Sequence, residues 1–137
     1  MPGPLLLDSS VAVALLLEDH EAHQACRSAV AGSTLGMAGH ALLETMSVLS
    51  RMPGRQRRSV GAVHAAIARS FPETRFLSAD GTRDAAAAMA SLGIAGGSVY
   101  DALVAAAARE HECELATRDA RAIPVYQAMG ARTRTIA

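Results

Sequence analysis

The sequence predicts an α/β domain with a mostly parallel, five-stranded sheet and helices on both faces. Short apolar segments alternate with longer alanine-rich ones, the pattern left by parallel strands joined through crossover helices. Breakers fall between those segments, at Gly32, Gly36, Gly39, Pro53-Gly54, Pro72, Gly93 through Gly97 and Gly130. The length of 137 residues sets the scale: one domain, 1–137, able to bury about two-thirds of its unfolded surface.

The elements follow in order. A first strand over 4–8 reads Pro4-Leu5-Leu6-Leu7-Asp8, and a helix over 10–18 continues from the serines after it. A second helix, 20–31, stops at Gly32 before a strand at 34–38. The helix over 40–52 has an apolar arc of Ala41, Leu42, Met46, Val48, Leu49 and Met52, with Glu44 on its border beside Val48. Pro53-Gly54 ends it. A helix over 58–70 runs to Pro72, and a strand is read at 74–78. Helices over 82–92 and 98–111 flank the glycine cluster. A strand at 113–117, a helix at 120–129 and a strand at 133–136 complete the chain.

Composition removes several function classes. Only 3% of residues are aromatic, too few for a single-strand binder that stacks bases on an aromatic platform. Net charge is zero, so any polyanion must be held locally. The chain has no lysine: all 13 of its fixed side-chain cations are arginines. That excludes a phosphate-binding loop of the Walker type, and equally the receiver and haloacid-dehalogenase-like domains, which depend on a lysine. Cys26 and Cys113 stand too far apart in sequence for a zinc site and read as reduced thiols. No stretch reaches the roughly 18 apolar residues of a membrane span. Asp8-Ser9-Ser10 interrupts the apolar start, which also lacks basic residues, so a cytoplasmic protein without a signal peptide is expected.

Four carboxylates stand where a charge is costly: Asp8, Glu44, Asp101 and Asp119. Asp8 and Asp119 end strands, and open parallel sheets bind ligands outside the carboxyl ends of their strands. Asp101 falls in the first turn of its helix, and Glu44 in the first half of its own. Clustered acids repel unless a cation lies among them, and magnesium or manganese takes oxygen ligands. Each acid also has a plain reading. Asp8 and Asp119 suit helix caps, and Ser98-Val99-Tyr100-Asp101 matches a capping box. Glu44 suits a surface position near Arg51. Arg51, Arg55, Arg57 and Arg58 form the densest basic stretch, either a solvated turn or a phosphate- or partner-contacting arm.

The order of these residues carries a resemblance. Leu7-Asp8-Ser9 before a small apolar helix, Leu43-Glu44-Thr45 with Arg51 a few turns on, Val99-Tyr100-Asp101-Ala102, and Leu115-Ala116-Thr117-Arg118-Asp119 together resemble the PIN-domain ribonucleases, specifically the VapC toxins of bacterial toxin–antitoxin pairs. The likeness spans essentially the whole chain. It implies a PIN-like three-layer sandwich and an endoribonuclease in which Asp8, Glu44, Asp101 and Asp119 hold one or two Mg2+ or Mn2+ ions. It also implies an RNA substrate, a VapB-type antitoxin and a homodimer. Ser9 and Thr117 are candidates for positioning the acids, with capping as their alternative. A non-catalytic module of the same fold and a structure-specific DNA nuclease are the competing readings.

Overall fold

A computed structural model describes residues 3–137. The chain runs β1 (Leu5–Leu7), α1 (Ser9–Leu16), α2 (His23–Val30), β2 (Leu35–Met37), α3 (Ala41–Ser50), a 3-10 turn (Gly54–Gln56), α4 (Val60–Ser70), α5 (Ala79–Leu92), α6 (Ser98–Glu110), β3 (Leu115–Thr117), α7 (Ile123–Ala128) and β4 (Thr133–Thr135). The four strands form one sheet in the order β2-β1-β3-β4, and every pair is parallel.

Strand order places the helices. From β1 the chain moves one way to β2, then returns past β1 to β3. Right-handed crossovers in opposite directions put their helices on opposite faces of the sheet. The reversal makes the carboxyl ends of β1 and β3 the switch point, where such sheets leave a crevice. Asp8 directly follows β1, and Asp119 lies two residues beyond β3.

Both central strands are buried throughout, as helices on both faces require. Leu6, Leu7 and Leu115 are fully enclosed, each stabilising the fold by roughly 1.5–3 kcal/mol. Helix α6 buries Ala102 and Ala105 through Ala108, and such small side chains permit close approach. The approach is tight at Gly39, whose φ is +51° and where an added Cβ would meet the Ala107 methyl at 3.0 Å. Gly39 opens the turn into α3, so this contact helps set where Glu44 stands.

The sheet has four strands; the fifth, expected at 74–78, is reduced to one bridge at Arg75, with a second just before it at Pro72. Gly36 bridges Pro72 and Ala38 bridges Arg75 along the outer edge of β2. Glu73 N donates to Leu35 O at 3.0 Å and Arg75 N to Met37 O at 3.1 Å. The Met37 amide, however, donates to the Thr74 hydroxyl rather than to a backbone carbonyl. Pro72 has no amide to offer. A side chain at Gly36 would collide with the Glu73 carbonyl at 2.0 Å. The segment covers the β2 edge without continuing the ladder. Helices end within three residues of their expected places; α1 begins one residue early, at Ser9, and α5 three residues early, at Ala79, where Ser78 caps it by accepting from Gly81 N.

Candidate active site

Asp8 is built into the junction between β1 and α1. It is 3% exposed and serves as the N-cap of α1, its side chain accepting from Val11 N at 3.2 Å. The same oxygen, Oδ1, accepts from Ser10 Oγ at 2.5 Å, and Oδ2 accepts from the Tyr126 hydroxyl at 2.9 Å. Ser10 Oγ in turn accepts from Arg118 N at 2.8 Å, tying the end of β1 to the end of β3. The capping reading of Asp8 is therefore correct as far as it goes, and it leaves the carboxylate facing a cleft.

Asp119 is held from the other strand. Its amide donates to Thr117 Oγ1 at 3.0 Å, and Thr117 is wholly buried. Its Oδ1 accepts from Arg121 N at 3.0 Å and lies 3.4 Å from Arg121 Nε. Asp119 thus shapes a turn ahead of α7, whose own N-cap is Ala122.

Glu44 and Asp101 come from the first turns of α3 and α6. The capping box that was the alternative reading of Asp101 does not form: Ser98 is already inside α6, and the N-cap position is Gly97, without a side-chain bond. Burial pushes the Glu44 carboxyl above its ordinary range, with the charges of Asp101 and Asp8 adding to it. Burial also raises Asp101, helped by Asp119 and Asp8 and opposed by the Arg121 guanidinium. The Tyr126 phenol is driven far above its usual range, first by burial and then by the Asp8 charge and hydrogen bond. It remains a proton donor at any physiological pH.

All four acids line one cleft of about 490 Å3, together with Ser9, Ser10, Gly97, Ser98, Arg121 and Tyr126. The fold therefore gathers residues spread from position 8 to position 119. Among the described residues, no three metal-capable side chains already converge closely enough to enclose one ion. The donor chemistry nonetheless fits a hard divalent cation: the donors are carboxylate oxygens, and the charged forms of two of them are disfavoured first by burial and then by their neighbours' charge. Ser9 lines the cleft, but the hydroxyl touching Asp8 belongs to Ser10. Arg51, Arg55, Arg57 and Arg58 lie outside the cleft, exposed around the 3-10 turn. There Arg57 Nε donates to Met52 O at 2.9 Å and Arg58 Nη1 to Arg55 O at 2.8 Å.

Sequence reasoning did not assign Ser10, Gly97, Ser98, Arg121 or Tyr126 to the cleft they line. Arg121 had a visible signal, a fixed cation two residues after Asp119. Tyr126 had a weaker one, as one of two tyrosines in the chain. Its contact with Asp8 spans 118 positions and has no local trace.

A parallel α/β domain with carboxylates gathered at its switch point defines the class of protein. Residues 5–127 match the PIN domain family, and the chain belongs to it. Ribonuclease VapC27 of Mycobacterium tuberculosis (strain ATCC 25618 / H37Rv) is 43% identical over 130 residues, covering 95% of each chain. Among solved structures, Mycobacterium tuberculosis VapC20, a sarcin–ricin loop cleaving toxin, superposes with a TM-score of 0.68 at 22% identity, covering 93% of this chain and 95% of that one. VapBC2 from Rickettsia felis, bound to a DNA fragment from its promoter, gives 0.68 at 14% identity, covering 97% of this chain and 98% of its match. These two likenesses show the shared fold.

Proposed function

We propose that this chain is a metal-dependent endoribonuclease, the toxin of a toxin–antitoxin pair, cutting RNA at the four-carboxylate cleft. The observation that carries the reading is the convergence of Asp8, Glu44, Asp101 and Asp119 on one cleft at the switch point. The likeness to a named VapC ribonuclease supports the substrate class.

Asp8, Glu44, Asp101 and Asp119 would hold Mg2+ or Mn2+. Such an ion, when bound, neutralises phosphate oxygens and activates water for hydrolysis. The chain's own residues prepare that chemistry. Ser10, Val11 N and Tyr126 orient Asp8. Thr117 fixes the backbone of Asp119. Arg121 places a guanidinium at the cleft, where it offers a phosphate two donors in a planar fork. No acidic side chain pairs with Arg51, Arg55, Arg57 or Arg58 among the described residues, which suits them to RNA phosphates or to an acidic stretch of antitoxin.

A VapB-type antitoxin is the proposed partner, inserting an arginine among the carboxylates in place of the metal. Its apolar segment would find a groove of about 580 Å3 lined by Leu15, Leu16, Val30, Leu35 and Phe71, with Arg27 and Arg69 at its rim. Exposed Leu43, Phe76 and Tyr100 support a homodimer. Among the described residues no helix is long and apolar enough to cross a membrane; the proposed substrate is cytoplasmic RNA.

The test is cleavage of single-stranded RNA with and without metal. EDTA should abolish cleavage, added Mn2+ should restore it, and Asp8→Asn should lose most of it while keeping its fold. A folded Asp8→Asn protein that cuts at the wild-type rate would place the chemistry elsewhere.

A further inference from the structure

We propose that Tyr126 is a positioning residue for the cleft, holding Asp8 so that Oδ2 is its one oxygen left open to a cation. The inference rests on the metal-dependent reading above and adds a residue from α7, an element that contributes none of the four acids.

Each carboxylate oxygen accepts about two hydrogen bonds. Oδ1 of Asp8 is already filled, accepting from Ser10 Oγ and from Val11 N. Oδ2 accepts once, from Tyr126 Oη at 2.9 Å, and keeps one acceptor position. Asp8 would therefore offer a cation the one oxygen that keeps an acceptor position, Oδ2, which a buried phenol holds in place. Tyr126 is suited to that role because it is only 2% exposed and cannot swing into solvent. Its ring is fixed within α7, and its backbone amide donates to Ala122 O at 2.9 Å. The rest of the aromatic complement makes the placement notable: the other tyrosine, Tyr100, is exposed and stacks on His40 at 5.1 Å. A phenylalanine would fill the same core volume, so packing alone gives no reason for the hydroxyl beside Asp8.

Groups that orient metal ligands from behind typically cost about 10- to 100-fold in metal affinity or activity when removed. Tyr126→Phe retains the ring and frees Oδ2 to rotate. Calorimetric titration with Mn2+ should show its affinity weakened about tenfold or more. Half-saturating Mn2+ for RNA cleavage should rise in parallel, with a smaller fall in rate at saturating metal. A purely structural hydroxyl would lower thermal stability without moving the metal dependence. Binding and half-saturation within twofold of wild type in folded Tyr126→Phe would overturn the proposal.

Asp8→Asn serves as the reference. If it too binds Mn2+ and cleaves RNA normally, the metal reading fails; if it is impaired while Tyr126→Phe is not, the positioning role alone fails. A measurement on the unmodified protein keeps the proposal testable should the variant not fold. With two tyrosines in the chain, 13C labelling at Cζ gives two signals, assigned through Tyr100→Phe. Mg2+ at activating concentrations should shift the Tyr126 signal. A Tyr126 signal that stays fixed through the activating range would contradict the proposal.

Discussion

The two acids at strand ends differ from the two carried by helices. Asp8 and Asp119 are held by hydroxyls and backbone amides: Ser10, Tyr126 and Val11 N for one, Thr117 and Arg121 N for the other. Glu44 and Asp101 have no side-chain hydrogen bond among the described residues, and their carboxyls are raised by burial and by neighbouring charge. Half of the cleft is therefore arranged in advance, while the other half carries the electrostatic strain. Hydrogen bonds fix the Asp8 and Asp119 carboxylates at the strand ends, whereas those of Glu44 and Asp101 have no such partner among the described residues. A cation would satisfy both halves together.

The largest effect expected from breaking this comparison falls on the strained half. Asp101→Asn should reduce RNA cleavage by roughly a hundredfold or more, since metal-assisted charge stabilisation is worth several kcal/mol. Thr117→Val, which takes the acceptor from the Asp119 amide but leaves the carboxylate, should cost less in cleavage and about 1–3 kcal/mol in stability. Parallel rate and melting measurements would separate the two. Equal losses of cleavage would remove the distinction between charge and support.

The second effect is on stability. Glu44 and Asp101 hold protons more tightly in the folded chain than in the unfolded one. Their stabilising contribution is then fully present below the ordinary values of 4.5 and 3.8, and it is lost as pH rises through the raised folded values. At neutral pH without metal, both acids cost stability. Glu44→Gln in EDTA should melt at or above the wild-type temperature at pH 7, and that advantage should shrink as pH falls toward 4.5. A Glu44→Gln protein less stable than wild type at pH 7 in EDTA would show that the charge is locally paired.

The smallest effect belongs to the exposed arm. Replacing Arg55 or Arg57 with alanine should weaken RNA binding evenly across sequences and reduce the salt slope by about one. Fluorescence anisotropy over a range of salt would measure it.

Legibility in the sequence followed the same division. Asp8 was readable because it closes the apolar run Leu5-Leu6-Leu7, which marks a strand end, and Asp119 because it follows the short segment Leu115-Ala116-Thr117. Glu44 and Asp101 were readable as acids at odds with their neighbours, and their order with the other two pointed to the PIN family. Ser10 was visible as part of Asp8-Ser9-Ser10, but nothing local distinguished its hydroxyl from that of Ser9. Tyr126 and Arg121 entered the cleft through the placement of α7, a tertiary fact. The strand expected at 74–78 failed for a local reason that became visible only with its neighbour in place: the Thr74 side chain takes the Met37 amide, and Gly36 lets the chain pass too close for a regular ladder.

The central claim, that the four carboxylates act together on a cation, is tested most directly by calorimetric Mn2+ titration of wild type and of Asp8→Asn, Glu44→Gln, Asp101→Asn and Asp119→Asn. Wild type should bind, and every variant should bind more weakly while keeping its fold. Four folded variants that take up Mn2+ as tightly as wild type would contradict the claim.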